Sequence, residues 1–317
     1  MRRINRREFI GTAVAAVGAL ALGTPGPAAA SAMTGRTGGR SARPGDNQVT
    51  LGRTGITTSL VGLGTGTRGW DHRSAQTQLG PEAFKRIVRH AFDSGIRFFD
   101  CADMYGSHAY LRAALKGLPR EQFVLQTKSV SRDEAGIRAD LDRFRLELDT
   151  DVLDIVLIHC AVSGDWNVRW QSAKEALAGA KEKGIIRAHG VSCHSLEALE
   201  TAAADPWVEV DLARFNPWGR VMDNRPGELP EKAPGYVKPV LARMRQAGKA
   251  VIGMKIAAEG QMMKGPDRLE RLRESIRFSL TSRAVDSFVI GVESPEQLDE
   301  ILAETRTVQA DIAAGQG

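Results

Sequence analysis

A carboxylate and a phenol follow one short apolar stretch of the chain, at a spacing that suits proton transfer. Residues Arg97–Asp100 predict a buried strand, and Tyr105 follows Asp100 by five residues in a predicted loop. Both side chains can take part in proton transfer when their surroundings shift their pKa values. Because aspartate and tyrosine are common after strands, this pair indicates chemistry only where further reactive side chains are brought beside it.

Three further polar side chains end later predicted strands, namely Lys128, His159 and Ser192. A site that combines Asp, Tyr, Lys and His suits carbonyl reduction, since a tyrosine hydroxyl can donate a proton to a developing alkoxide. We expect the ammonium of Lys128 to lower the pKa of the Tyr105 phenol, and the carboxylate of Asp100 to hold that ammonium in place. An N–H of His159 can hydrogen-bond the substrate carbonyl and favour charge on its oxygen.

Apolar strand patterns alternate with amphipathic helix patterns eight times along the chain, which is typical of a parallel sheet. The predicted strands are Leu60–Gly64, Arg97–Asp100, Phe123–Lys128, Val152–His159, Ile186–Ser192, Val210–Arg214, Ala250–Lys255 and Ser287–Gly291. The predicted helices that follow them are Pro81–Ser94, Ala109–Lys116, Asp133–Leu148, Val168–Lys183, Leu196–Ala204, Val237–Gln246, Arg268–Ser279 and Pro295–Ala303. A short hairpin is predicted before them, from Val49–Leu51 and Thr57–Ser59.

Eight such units in about 260 residues match a (β/α)8 (TIM) barrel of the α/β class in size. A doubly wound open sheet is the alternative, although Gly62–Gly66 lacks the last glycine of the Gly-x-Gly-x-x-Gly motif that binds dinucleotides. In a barrel of this kind the carboxyl ends of all strands lie at one rim. The fold would therefore bring Asp100, Tyr105, Lys128 and His159 together.

Residues 1–32 have the composition of an export signal. Four arginines precede an apolar stretch, Ile10–Leu22, that is too short and too rich in alanine and glycine for a stable membrane span, and Ala28–Ala32 offers small-residue cleavage sites. The segment Asn5–Ile10 resembles the twin-arginine export signal. This resemblance implies the twin-arginine translocation machinery as a partner and a periplasmic or extracellular destination. A simple secretory signal or a short anchor is the alternative.

The formal charge of +5 belongs to the N-terminal end of the chain. Residues 1–46 hold seven arginines against two acids, so that the remainder is formally neutral. No basic patch interleaved with aromatic residues occurs later, which argues against nucleic-acid binding. Residues 33–47 hold almost no apolar side chains and are expected to form a disordered linker. The barrel domain is accordingly predicted over residues 48–311.

Residues Phe98–Gly106 resemble the signature Asp-x-Ala-x-x-Tyr-Gly of the aldo-keto reductases. Four further segments are similar to the family in order and approximate spacing, namely Leu51–Ile56, Gln126–Lys128, Leu157–His159 and Gly190–Ser192. The resemblance covers roughly residues 48–305 and implies an NAD(P)H-dependent (β/α)8 oxidoreductase. It implies a catalytic tetrad of Asp100, Tyr105, Lys128 and His159, with Tyr105 as the proton donor towards an aldehyde or ketone.

The resemblance also implies cofactor contacts at the ends of the later strands. The residues concerned are Ser192, Arg214, Met254, Lys255, Gly291, Glu293 and Ser294. Ser192 would bind the nicotinamide carboxamide, and Met254 stands in place of the ring that stacks on nicotinamide. Arg214 and Lys255, which end the sixth and seventh predicted barrel strands, could contact the pyrophosphate and so compensate for cations that the segment after the last strand lacks. The family pattern favours NADP(H), but the segment after the last strand holds no cation and Glu293 would repel an adenosine 2′-phosphate. The choice between NADP(H) and NAD(H) therefore stays open.

Three tryptophans, Trp70, Trp166 and Trp218, fall in predicted loops on the catalytic face, where aromatic rings can line an apolar substrate pocket.

The chain holds three cysteines, and an odd number excludes a framework built on full pairing. Cys160 and Cys193 follow neighbouring strands, so that a disulfide between them is conceivable. A metal site is not expected there, because successive residues at a strand end point to different sides.

The sequence leaves functions of two classes open, besides a barrel hydrolase, for which it offers no clear pair of acids. The first is an exported NAD(P)H-dependent reductase that converts a small aldehyde or ketone to an alcohol. The second is a nucleotide-binding barrel that acts as a redox sensor or partner subunit without steady turnover, which the altered nicotinamide contacts and the export of the chain favour. Multiple turnover with a small carbonyl substrate distinguishes the two.

Overall fold

The computed structural model describes residues 47–315. The predicted export signal and all of the predicted linker except Asn47 lie outside these residues. Within them, two antiparallel strands form a hairpin and eight parallel strands close into a barrel, with helices between successive barrel strands. The closed barrel and the hairpin confirm the predicted fold, and the alternative of an open doubly wound sheet is excluded.

The strands alternate with the helices as the apolar patterns predict. The hairpin consists of β1 (Gln48–Thr50) and β2 (Thr57–Ser59). The barrel strands are β3 (Val61–Gly64), β4 (Phe98–Asp100), β5 (Val124–Ser129), β6 (Leu153–Ala161), β7 (Ile186–Cys193), β8 (Val210–Arg214), β9 (Ala250–Met254) and β10 (Ser287–Ile290). Each barrel strand pairs with the next along the chain, and β10 pairs with β3 to close the ring.

The helices cover the outside of this ring. They are α1 (Ala75–Gln78), α2 (Pro81–Asp93), α3 (His108–Leu115), α4 (Glu134–Leu148), α5 (Trp166–Arg169), α6 (Gln171–Glu182), α7 (Leu196–Ala204), α8 (Ala233–Gln246), α9 (Arg268–Thr281) and α10 (Pro295–Ala313). Short 3-10 helices lie at Asp103–Tyr105, Arg120–Gln122, Pro230–Lys232 and Ala258–Gly260. None of the described helices is long and apolar enough to cross a membrane.

The barrel strands are buried along nearly their whole length because both of their faces are covered. In β6, Ile155 and Leu157 pack with the residues that fill the barrel interior, whereas Val156 and Ile158 pack with the surrounding helices. A strand of this kind reads as a continuous apolar run in the sequence. This is why the existence and order of the barrel strands can be predicted from the sequence alone.

The hairpin closes the amino end of the barrel. Leu51 and Ile56, which lie between its strands, are fully buried and pack with the interior residues of the barrel. Gly52 lies so close to the start of β9 that a Cβ atom there would be 2.5 Å from the backbone nitrogen of Ala250. The opposite end of the barrel, where the strands finish, is therefore the end left for a functional site.

Several elements differ from the predicted ones: α1 was not predicted, α8 begins at Ala233 instead of Val237, and α10 ends at Ala313 instead of Ala303. Strand β6 continues past His159 to Ala161, with a shift in its register to β7 between Ile158 and Ala161. The single helix predicted at Val168–Lys183 is two helices, which meet at Trp170. The Trp170 ring packs 4.1 Å beneath the guanidinium of Arg132, a contact between distant residues that no local pattern reveals.

Candidate active site

A buried ion pair joins the ends of β4 and β5. The ammonium of Lys128 donates to Asp100 Oδ1 at 2.6 Å and to the Cys101 carbonyl oxygen at 2.8 Å. The amide of Gln126 donates to the same Asp100 oxygen at 2.7 Å. Burial disfavours the charge on fully buried Lys128, but Asp100 and the neighbouring Tyr105 hold its pKa above the usual value. Lys128 is thus a fixed, buried cation beneath the rim.

Tyr105 lies directly above this cation. It ends the 3-10 helix Asp103–Tyr105, and the left-handed Gly106 (φ 62°) turns the chain into α3. The Lys128 ammonium lies 4.8 Å from the centre of the Tyr105 ring. Burial raises the pKa of Tyr105 to about 12, and the charge of Lys128 offsets only part of this rise. The expected lowering by Lys128 is thus present, but desolvation of the phenolate is the larger effect, so that the pKa of Tyr105 is raised overall.

His159 on β6 completes the group. Its ring meets the Tyr105 ring edge-on, with the two centroids 5.6 Å apart. Burial, followed by the charge of Lys128, lowers the pKa of His159 well below its ordinary value, so that the imidazole is neutral. Its Nδ1 atom is buried and has no hydrogen-bond partner among residues 47–315. Asp100, Tyr105, Lys128 and His159 are thus brought together at one rim, as the strand ends predict.

The loop between β3 and α1 packs on the Tyr105 ring, which sequence reasoning missed. A Cβ atom at Gly66 would lie 2.2 Å from Tyr105 Cε2, and one at Gly69 would lie 2.3 Å from Tyr105 Cδ1. Beyond them Trp70 pairs with Arg73 around a tight turn. Two glycines at this spacing after the first barrel strand are the signal that the ring of a later residue packs against this backbone.

Comparison with known proteins identifies the chain. A model of the aldo/keto reductase family matches residues 60–228, which is more than half of the chain. The chain belongs to this family. It is therefore an oxidoreductase of the aldo/keto reductase type, and the family identification agrees with the barrel fold.

Several characterised proteins are similar to this aldo/keto reductase. A D-threo-aldose 1-dehydrogenase from Pseudomonas sp is 26% identical over 68% of this chain and 80% of its own length. An L-galactose dehydrogenase from Arabidopsis thaliana is 24% identical over 82% of this chain and 88% of its own length. The holo form of an aldo-keto reductase from Bacillus halodurans superposes with a TM-score of 0.64 at 19% identity, over 83% of this chain and 95% of that chain.

Ser192 is the most distinctive of the cofactor residues predicted for this aldo/keto reductase. It lies at the carboxyl end of β7, is fully buried, and its hydroxyl has no hydrogen-bond partner among the described residues. A buried hydroxyl without a partner is costly unless a ligand satisfies it. Met254 ends β9 and packs with the interior residues of the barrel, near the same rim. Both positions suit a polar ring bound at the barrel mouth.

The two cations predicted to contact pyrophosphate are both paired within their own loops. Arg214 forms an ion pair of 2.6 Å with the buried Asp223. Lys255 forms one of 2.7 Å with Glu259. Each acid lies in the loop that follows the strand bearing its partner. These two ion pairs thus stabilise two loops at the rim. A bound phosphate would have to interact with cations that are already paired with Asp223 and Glu259.

The predicted adenosine segment lies where β10 leads into α10. Ser294 caps this helix by accepting a hydrogen bond from the Gln297 N–H at 3.3 Å. Gly291 packs closely against Thr67. Glu293 forms an exposed ion pair of 3.3 Å with Arg68, which joins the loops that follow β10 and β3. The segment is therefore acidic at its tip, and the cation that pairs with this tip is Arg68 of the loop after β3.

The cysteines do not pair. All three are free, because Cys193 faces the helices and donates to Asp211 Oδ2 at 3.1 Å, whereas Cys160 lies beside His194. Burial raises the pKa of Asp211 to about 7. The conceivable Cys160–Cys193 disulfide is therefore absent. Among residues 47–315, no group of three or more His, Cys, Asp or Glu side chains is placed to hold a metal ion.

The three tryptophans predicted for the substrate pocket differ in position. Trp70 is 69% exposed in the loop after β3, and Trp218 is half-buried after β8 with its Nε1 donating to Glu274 at 2.9 Å. Trp166 is 0% exposed and donates to the Ala198 carbonyl oxygen at 3.1 Å. Trp166 thus belongs to the packing between α5 and α7 and offers no surface to a substrate. Its neighbours Trp170 and Trp207 explain why it turns inward.

A cavity of about 1020 Å³ lies at the amino end of β6 and β7, away from the tetrad. Its most buried charge, Asp154, pairs with Arg120 at 2.6 Å and with Arg187 at 2.7 Å. These charges satisfy one another across the strand ends. In a barrel of this class the chemistry belongs to the opposite rim, so we assign no reaction to this cavity.

Proposed function

We propose that this protein is an exported NAD(P)H-dependent reductase of aldehydes or ketones, with Tyr105 as the proton donor. The observation that carries the proposal is the buried Asp100–Lys128 pair beneath Tyr105, with neutral His159 edge-on beside the phenol. The twin-arginine resemblance of residues 5–10 supports export to the periplasm or the extracellular space.

Each member of the tetrad has a distinct task in this reaction. The nicotinamide supplies the hydride when it is bound. Tyr105, protonated at neutral pH because its pKa is about 12, donates its proton to the carbonyl oxygen as negative charge develops there. Lys128 stabilises the phenolate that remains, and Asp100 fixes the position of Lys128. Neutral His159 donates a hydrogen bond to the same oxygen and orients the carbonyl.

The residues at the rim fit a nicotinamide cofactor. Ser192 offers a buried hydroxyl without a partner, which a carboxamide would satisfy. Met254 can pack against the ring. Arg214 and Lys255 lie at adjacent strand ends and can share their charge with a pyrophosphate while they stay paired with Asp223 and Glu259.

The acidic tip of the adenosine segment favours NAD(H) over NADP(H). The purified protein is titrated with NADH and with NADPH, and binding is monitored by tryptophan fluorescence. The Kd for NADH is expected to be on the order of tenfold lower than the Kd for NADPH. The reason is that Glu293 repels a 2′-phosphate and engages Arg68, the neighbouring cation, in an ion pair. Glu293→Gln should narrow the difference, whereas Glu121→Gln at the amino end of the barrel should leave it unchanged. Tighter binding of NADPH by the wild-type protein would contradict the assignment.

The packing of Gly66 on Tyr105 gives a second prediction. Gly66→Ala should lower kcat for carbonyl reduction on the order of 100-fold, because the new methyl group displaces the phenol from the reacting oxygen. Steady-state kinetics with a small aldehyde measures this effect. Gly179→Ala in α6 is the matched control, since a Cβ atom there would meet no atom within 4 Å. Equal kcat for the two variants would show that the loop does not position Tyr105.

The ion pairs at Arg214 and Lys255 favour a second candidate function. If these cations bind only Asp223 and Glu259, they do not contact the cofactor pyrophosphate. The cofactor is then held by fewer positive charges than a reductase with steady turnover needs. The protein would then be a nucleotide-binding sensor or partner subunit that carries out no steady turnover. Sustained turnover of NADH with an aldehyde in excess over enzyme excludes this candidate, and a single stoichiometric oxidation of bound cofactor supports it.

The names of two relatives suggest a class of substrate. They are dehydrogenases of a D-threo-aldose and of L-galactose, both of which are hydroxylated carbonyl compounds. We include such compounds, in either direction of the reaction, beside simple aldehydes and ketones among the candidate substrates.

A further inference from the structure

A second imidazole lies next to His159 at the rim. His194 is the first residue after β7, is half-buried, and its ring lies edge-on to the His159 ring with the centroids 6.1 Å apart. The rings of Tyr105, His159 and His194 therefore form a row across the mouth of the barrel. The proposed reaction uses the first two rings and leaves His194 without a task.

The hydrogen bonds of His194 fix its tautomer. Its Nδ1 atom lies 3.3 Å from the Ser192 carbonyl oxygen. A carbonyl oxygen can only accept, so Nδ1 carries the proton. Burial, followed by the charges of Arg214 and Lys255, lowers the pKa of His194 to about 3, so that the ring is neutral. Its Nε2 atom therefore carries no proton and acts as a hydrogen-bond acceptor.

The present partner of this acceptor is weak. His194 Nε2 lies 3.9 Å from Cys160 Sγ, and burial raises the pKa of Cys160, so that the thiol keeps its proton. A thiol is a poor donor compared with a hydroxyl. Cys160 is held in this place by its left-handed backbone (φ 60°) at the register shift of β6. An O–H group brought to the rim can thus replace the thiol with a gain in hydrogen bonding.

We propose that His194 Nε2 accepts a hydrogen bond from a substrate hydroxyl on the carbon next to the reacting carbonyl. This rests on the proposed function, which places the carbonyl oxygen between Tyr105 and His159. The hydroxyl of the next carbon then reaches the third ring of the row. The substrates favoured by this arrangement are α-hydroxy aldehydes and ketones, and His194 is the residue that selects them.

Matched pairs of aldehydes test this selection. Glycolaldehyde and lactaldehyde carry the hydroxyl, whereas acetaldehyde and propionaldehyde are their counterparts without it. For each pair, kcat/KM for the hydroxyaldehyde is divided by kcat/KM for its counterpart without the hydroxyl. This ratio is compared between the wild type and the variants, because the intrinsic reactivities of the aldehydes then cancel. His194→Phe keeps an aromatic ring but removes the acceptor, and should lower the ratio on the order of tenfold. His194→Gln, which retains an acceptor, should restore part of it.

Cys160 variants give a second measurement that leaves His194 in place. Cys160→Ser sets a stronger donor against Nε2 and should lower the ratio, whereas Cys160→Ala frees the acceptor and should keep or raise it. A ratio that stays at the wild-type value in both His194→Phe and Cys160→Ser overturns the inference while the proposed function stands. Failure of the wild-type protein to turn over any of the four aldehydes, or any ketone or aldose, with either cofactor overturns the proposed function and the inference with it.

Discussion

Replacing Tyr105 with phenylalanine should lower kcat/KM for aldehyde reduction by about 10³-fold, within the range that a positioned general acid contributes. The variant lacks only the hydroxyl, so the ring still packs between Gly66, Gly69 and the Lys128 ammonium. Folding and cofactor binding should therefore be preserved. The loss would fall on the step in which the carbonyl oxygen takes up a proton, and it should be seen in kcat measured with saturating cofactor.

The pH dependence of the wild-type protein provides an independent check. Because burial raises the pKa of Tyr105 to about 12, the phenol stays protonated throughout the neutral range and reduction should not lose its acid there. The reverse oxidation of an alcohol needs the phenolate as its base. Its rate should rise about tenfold per pH unit above neutrality until the cofactor or the fold limits it. In Tyr105→Phe this rise should disappear.

Tyr110 offers the matched control for the substitution. It lies on α3, is half-buried and packs against Phe84, with the ring centroids 5.2 Å apart. Tyr110→Phe removes a hydroxyl from the same short stretch of chain without touching the tetrad. If Tyr105→Phe were as active as Tyr110→Phe, the phenol would not be the proton donor and the tetrad would need another acid.

The sequence is informative about this site because the tetrad members lie at the carboxyl ends of strands or in the loop just after one. The long apolar run of β6 and the short one that opens β5 mark these strands, and a parallel barrel brings the strand ends to one rim. Lys128 and His159 can therefore be placed beside Asp100 without any knowledge of side-chain contacts. Burial cannot be read in the same way, which is why its effect on the pKa of Tyr105, larger than the opposing effect of Lys128, could not be predicted from the sequence.

The features that sequence reasoning missed depend on contacts between distant residues in loops. Arg214 finds Asp223 in a loop without regular structure, and Trp166 turns inward because Trp170 and Trp207 lie beside it. His194 lies in the row of rings beside Cys160, which falls at the register shift of β6. No hydrophobic period or motif reports such contacts, so the specificity of the site is less predictable than its chemistry.

Replacing Lys128 with methionine should have the second large effect, and it should act on both stability and catalysis. The variant leaves the Asp100 carboxylate buried with the Gln126 amide and without a cation. Removing one partner of a buried ion pair costs about 3–5 kcal/mol. Urea unfolding should therefore show a loss of this order. Adding Asp100→Asn should recover part of it, because the double variant no longer buries an unpaired charge.

A second buried pair separates the catalytic from the structural role of Lys128. Lys174 on α6 forms an ion pair of 2.6 Å with Asp205, and both side chains are nearly as buried as the Asp100–Lys128 pair. Lys174→Met should destabilise the protein by a similar amount but leave kcat close to the wild-type value at a temperature where both variants are folded. Lys128→Met should lose about 10²-fold or more in kcat under the same conditions, because the phenolate of Tyr105 is no longer stabilised. Equal activity of the two variants would mean that Lys128 serves the fold alone.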